Sequence, residues 1–246
     1  MLGRPLDLLI PRQLNGYSVT VTNMVETVKR RYDNSRRQAQ SRSTRLKTIV
    51  AAKGQFIQRG YLATTMEAVA EAADVPLPTL YRLFGSKRAL LAAVLDTSFG
   101  GDQEPISFAD RPAQRAALSE PDPIRLVIAF ARVAREFMDR SSAMLHVLAT
   151  AGQVDPEAAE LLADIRRQRH AGQSRIVAAL AELNALDPAL EPAAATDVVY
   201  TLMSPDVHRI LTLERDWSPE RYETWLARSL QTLVRPDLRQ GSSASL

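Results

Sequence analysis

The 246-residue chain contains no cysteine, so neither a disulfide framework nor a thiolate metal site is open to it. Its three histidines, His146, His170 and His208, show no ligand spacing, and no metal site is expected. No apolar run approaches the roughly 18 residues of a membrane span. The segment Leu6-Asp7-Leu8-Leu9-Ile10-Pro11 is short and carries an acid, unlike a secretory signal. A cytoplasmic protein without membrane or cofactor is therefore the expectation. Gly-x-Ser-x-Gly, P-loop, dinucleotide-fingerprint and His-Glu-x-x-His patterns are all missing. Glu67 and Glu71 lie four apart on a helical pattern and read as cap and surface residues, so no catalytic residue is assigned and an enzyme is not expected. No segment alternates as a strand does, while 46% hydrophobic residues suffice for real cores. The fold class read from this is all-α.

Charge is present but unevenly spread. Residues 24–91 hold 13 Lys and Arg against 5 Asp and Glu, a net +8. Residues 92–246 hold 16 against 22, a net −6. A basic head on an acidic body fits a polyanion-binding region joined to one that binds none.

The first 40 residues read as a flexible extension, basic from about residue 29, with Met24 a possible second start. Leu46, Ile49, Val50, Phe56 and Ile57 form a helical stripe that Gly60 ends. Thr64 and Glu67 fit a capping box for a second helix, with Met66, Val69, Ala70 and Ala73 as its buried stripe. Asp74-Val75 makes a turn. Pro76 and Pro78 fit only before or within the first turn of a third helix. Gly85-Ser86 breaks and recaps the chain, and Leu90, Leu91, Val94 and Leu95 run along a fourth helix. Residues 101–121 read as a linker. Asp122-Pro123, Asp155-Pro156 and Ser218-Pro219 each put a capping side chain before a proline. Ser141–Ala151 reads as a separate helix, and Pro192–Asp216 as one kinked or restarted at Ser204-Pro205. The organisation is a head of about four helices, a body of about five over residues 122–236, and a disordered tail, 237–246.

Two short helices joined by a tight turn, about residues 65–84, make a helix-turn-helix. On a helical wheel Leu80 and Phe84 point inward and Pro78 and Arg82 outward, flanked by Thr79 and Tyr81. Hydroxyls suit phosphate oxygens, and a guanidinium suits a phosphate or a guanine edge. Thr65, at a helix N-terminus, and Ser86 with Lys87 at the next are placed for phosphate. Arg36, Arg37, Arg42 and Arg45 read either as reaching phosphates or a minor groove, or as a solvated lead-in.

This stretch resembles the DNA-binding domain of the TetR family of bacterial transcriptional regulators. The resemblance rests on Phe56, Gly60-Tyr61, Thr64-Thr65-Met66, Val75, Thr79-Leu80-Tyr81, Phe84, Ser86-Lys87 and Leu90-Leu91, and covers roughly residues 42–100. It implies that Thr65, Thr79, Tyr81 and Lys87 contact DNA, mostly its backbone. Pro76, Pro78 and Leu83 depart from the family pattern. The DNA-binding set is thus Arg42, Arg45, Thr65, Thr79, Tyr81, Arg82 and Lys87. The resemblance further implies a body that dimerises and holds a small, partly apolar effector. Phe130, Phe137, Met138, Met144, Leu145 and Leu148 are candidates to line a pocket, with His146 as an anchor. Val199, Leu202, Met203, Tyr222, Trp225, Leu226 and Leu230 are candidates for the dimer interface. The function so implied is a DNA-binding regulator, a repressor released from a palindromic operator by its ligand. The alternative is a helical adaptor or ligand sensor that uses the head for protein contacts.

Overall fold

The computed structural model describes residues 16–100 and 110–240, with side chains from residue 39 to 239. The chain divides into two units at Lys47/Thr48. Before the division the backbone is helical from Gly16, as part of α1 (Gly16–Ala63). The stretch 16–40, expected as a flexible arm, is thus helix. Residues 1–15 and the last six lie outside the described residues, as do residues 101–109 of the expected linker.

From Thr48 onward every regular element is helical among the described residues, apart from one isolated antiparallel bridge between Leu186 and Val234. α1 kinks at Gly60, whose φ of 75° is the left-handed conformation that glycine adopts freely. α2 (Met66–Ala72), α3 (Leu77–Phe84) and α4 (Lys87–Gly100) follow. α5 (Pro112–Leu118) falls inside the expected linker. Its buried Gln114 and Ala117 dock it on α6 (Pro123–Ala151), which explains why a polar segment is ordered there. α7 (Pro156–Glu182), α8 (Pro192–Leu202), α9 (Pro205–Arg209), a π-helical turn (Ile210–Glu214), α10 (Pro219–Leu230) and α11 (Pro236–Gln240) complete the order.

Proline after a capping side chain starts these helices. Asp122 accepts from the amides of Ile124 and Arg125, both at 2.9 Å, and Asp155 from those of Glu157 and Ala158 at 3.0 and 3.2 Å. Ser204 and Ser218 do the same with one amide each. Such caps stabilise a helix by about 1 kcal/mol. The separate helix expected at Ser141 does not exist, because α6 runs unbroken for 29 residues. Ser141 is buried and its hydroxyl donates to the Phe137 carbonyl at 2.7 Å, so it bonds its own helix instead of starting one.

Two apolar cores share α6 and α7. Ile124, Leu126, Phe130, Phe137 and Met138 of α6 bury in a body core with Ile176 and Leu180 of α7, Val199 of α8, and Tyr222, Leu226 and Leu230 of α10. Met144, Leu145, Leu148 and Ala151 of α6 bury instead in a head-side core with Phe56, Met66, Leu80, Phe84, Leu90 and Leu91. Ala158 and Ile165 of α7 join this second core. Each helix therefore carries one half of its apolar stripe into each core, which ties head to body by packing. Arg88 to Glu157 at 2.8 Å and Lys53 Nζ to the Arg140 carbonyl at 3.1 Å add polar links.

Candidate nucleic-acid interface

The helix-turn-helix is built from short elements that cannot hold themselves. α2 has 7 residues and α3 has 8, well below the length at which an isolated helix is stable in water. Packing supplies the stability. Met66, Val69 and Ala70 of α2 and Leu80 and Phe84 of α3 are buried together with Phe56. The turn between them needs one left-handed residue, and Asp74 provides it at φ 49°. The Val75 amide then donates to the Ala70 carbonyl at 3.0 Å, closing the end of α2. Pro76 stands at the cap of α3 and Pro78 within its first turn, where the missing amides are not needed. Gly85, at φ 76°, ends α3 with its amide on the Tyr81 carbonyl. Ser86 caps α4 by accepting from the Ala89 amide at 3.1 Å.

With Leu80 at 0% exposure, the opposite face of α3 is fixed outward. Pro78, Tyr81 and Arg82 are exposed, and Thr79, Leu77 and Leu83 are half-buried. Thr65 is exposed and caps α2, accepting from the Ala68 amide at 3.1 Å. A hydroxyl that accepts still has its own proton to donate. The cap is therefore Thr65, one residue later than the expected Thr64. Thr64 is buried, and its hydroxyl donates to the carbonyls of Gly60 at 2.7 Å and Gln55 at 3.1 Å.

Lys87 is the clearest departure from expectation. Its ammonium is turned inward, donating to the carbonyls of Tyr61 and Thr64, both at 3.0 Å, and more weakly to Leu62 at 3.5 Å. It also lies 4.4 Å from the centre of the Tyr61 ring. These carbonyls are the unpaired acceptors at the end of α1, and a lysine with three donors satisfies them. Lys87 here braces the head and does not stand free on its surface. The Tyr61 phenol in turn hydrogen-bonds Asp155, and burial, reinforced by that carboxylate, pushes it up to about 12. Arg42 is exposed and Arg45 half-buried, both on the part of α1 that precedes the division.

Residues 49–94 match the family model of bacterial regulatory proteins of the tetR family. This part of the head is thus similar to the TetR-family domain. The chain as a whole takes the all-α fold of TetR-family regulators. It superposes on SmeT, solved as a triclosan complex, with a TM-score of 0.63 at 16% identity over 79% of this chain and 93% of that one. NalD, the secondary repressor of the MexAB-OprM multidrug efflux pump in Pseudomonas aeruginosa, gives 0.60 at 20% identity over 80% and 99%. PfmR from Thermus thermophilus, a TetR-family transcriptional regulator, gives 0.56 at 21% identity over 77% and 94%. No curated protein matches the sequence significantly.

Beyond the matched segment, the body residues fall differently from expectation. The seven pocket candidates do not converge. Phe130, Phe137 and Met138 belong to the body core, whereas Met144, Leu145 and Leu148 belong to the head-side core. All lie on the single helix α6, which is long enough to serve both. His146 has a side chain 45% exposed and faces Asp206 at 3.9 Å on the outside of the body. The dimer candidates Val199, Met203, Tyr222, Leu226 and Leu230 are buried in the chain's own core, which removes them from any surface. Leu202 and Trp225 are half-buried and pack against that core. Arg169 carries no role in the sequence reading. The signal was its position in the α7 stripe Ile165, Arg169, Gln173, Ile176, Leu180, spaced to point inward.

Among the described residues no group of His, Asp and Glu is arranged to hold a metal, and no helix is long and apolar enough to cross a membrane.

Proposed function

We propose that this protein is a sequence-specific, DNA-binding transcriptional regulator that acts as a homodimer on a palindromic operator. The observation that carries the reading is the outward face of α3: Pro78, Tyr81 and Arg82 exposed on a helix held by Leu80 and Phe84 in a TetR-family domain. Arg82 takes a phosphate or a guanine edge, while Tyr81, Thr79 and Thr65 donate to phosphates. Pro78 and Leu77 present apolar surface to thymine methyls. Arg42 and Arg45 add phosphate contacts from the basic lead-in. One eight-residue helix reads few base pairs, so a two-fold pair of heads is required for a specific site. Exposed Val198, Ile210 and Leu213, on the outer side of the α8–α10 region, are available for pairing where the buried stripes are not.

The body holds a small effector whose binding lowers the population of the operator-competent state, which makes the protein a repressor. NalD is a repressor and SmeT was solved with triclosan, and that combination supports the assignment. Selection from a random DNA pool with purified full-length protein tests it. A palindromic consensus, lost on Arg82→Ala with the fold intact, is expected. Failure to enrich any sequence at moderate salt would defeat the proposal.

A further inference from the structure

Four helices bring polar groups together at the level where the two cores meet. Asp139 lies on α6 between Met138 of the body core and Met144 of the head-side core. Arg169 lies on α7 between Ile165 of the head-side core and Ile176 of the body core. His208 of α9 is 5% exposed, with Nε2 at 3.0 Å from Asp139 Oδ1. Its ring stands edge-on to that of Tyr222 of α10, with centroids 4.8 Å apart. Tyr222 is fully buried. The Arg169 guanidinium donates to the Met203 carbonyl at 2.9 Å and lies 5.0 Å from the centre of the Tyr200 ring. Burial raises the Tyr222 phenol well above its ordinary range, a rise that the carboxylate of Asp139 adds to and the charge of Arg169 opposes.

The set is under-satisfied. Tyr222 Oη, His208 Nδ1 and Arg169 Nε are buried with no hydrogen-bond partner, as is Gln173 Oε1 one turn further along α7. Arg169 makes no ion pair with a carboxylate among the described residues. Its charge is met by a carbonyl and a ring, with Asp206 acting only beyond ion-pair distance. Each buried orphan costs about 1–3 kcal/mol, and an uncompensated buried charge costs more. Folded proteins keep such groups where something else completes them.

We propose that Arg169 and Tyr222 anchor the effector, and that it is a small organic acid with an apolar body. Its carboxylate supplies the missing negative charge and accepts from both the guanidinium and the phenol. His208, held by Asp139, is the wall that positions Tyr222. The proposal rests on the reading that the body holds an effector, and adds where it binds and what charge it carries. A neutral isostere is disfavoured because it leaves the part-buried guanidinium without a carboxylate. The site also suits transmission. Arg169 pins the Met203 carbonyl at the break between α8 and α9, and α6 and α7 carry side chains in both cores, so a ligand that redirects Arg169 acts on elements packed against the head.

The test titrates full-length protein with benzoate, phenylacetate and naphthoate and with the matched amides. Binding is read by calorimetry and by tryptophan fluorescence, since the Trp225 ring lies 5.7 Å from that of Tyr222. At least one acid binds, with its amide at least about tenfold weaker, roughly 1.4 kcal/mol. Arg169→Gln and Tyr222→Phe each weaken the acid to a similar degree, and the unliganded melting temperature does not fall in Tyr222→Phe, whose hydroxyl has no partner to lose. Amides binding as well as acids, acid binding unchanged in both variants, or no binding by any of the three acids overturns the proposal. If Arg169→Gln fails to fold, Tyr222→Phe, which removes a single oxygen, decides alone. Absence of DNA binding in every preparation sinks the regulatory reading by itself, since acid binding is measured without DNA.

Discussion

Arg82 and Arg169 carry the same side chain and are used in opposite ways. Arg82 stands exposed on an eight-residue helix whose inner face is Leu80 and Phe84. Its charge stays in water, costs nothing to maintain, and becomes useful on meeting a polyanion. Arg169 is turned into the body, onto the Met203 carbonyl and the Tyr200 ring, where its charge acts on the buried Tyr222 phenol. Its charge is penalised from the moment the chain folds, and contact with an anion relieves a standing cost. Lys87 is a third case: its charge is spent on backbone carbonyls at the end of α1 and is used for shape. Whether a cation serves recognition, sensing or bracing is decided here by what surrounds it.

Breaking the support of the exposed face has the largest expected effect. Leu80→Ala empties a fully buried position and costs about 2–5 kcal/mol, measured by urea unfolding. A loss well under 1 kcal/mol would mean that the face is not held by this core. Next, Arg82→Ala leaves stability unchanged and weakens operator binding by about 1–3 kcal/mol if it reads a base. If it meets phosphate, binding weakens uniformly across sequences and the salt slope falls by about one. A smaller effect is expected at Lys87. Lys87→Ala lowers stability by about 1–2 kcal/mol through lost carbonyl contacts. Unchanged stability with a shallower salt slope would move Lys87 to the DNA-contacting class.

The smallest effect concerns pH. Burial holds the His208 imidazole below its ordinary value of 6.5, against the opposing hydrogen bond to Asp139. Its neutral form is favoured on folding, so the related stability is complete above pH 6.5. It declines as pH falls below that value, where the unfolded chain takes up the proton first. His208→Gln should flatten the stability profile below pH 6.5, and an equally steep profile in the variant would assign the titration elsewhere.

Much of the head was legible because its signals are local. Gly60 and Gly85 take the positive φ that their positions demanded, and the Asp-Pro and Ser-Pro pairs start helices where capping chemistry places them. The inward pair Leu80 and Phe84 followed from a spacing of four. The cap at Thr65 was misread as Thr64, because two adjacent threonines offer the same chemistry and only the direction of the chain after Gly60 chooses between them. The body was legible as helices and not as a site. Met138 and Met144 look alike in sequence, yet they belong to different cores because one 29-residue helix passes through both.

The sequence by itself determined the helical class, the helix starts, the turn at Asp74 and the outward face of α3. Each depends on residues within one or two turns of one another. Tertiary structure alone decided that Lys87 faces α1, that Val199, Tyr222 and Leu226 face the chain's own interior, and that Arg169 reaches the Met203 carbonyl from a different helix. Those outcomes depend on which helix faces which, and a periodic stripe states that a face is buried without naming what buries it.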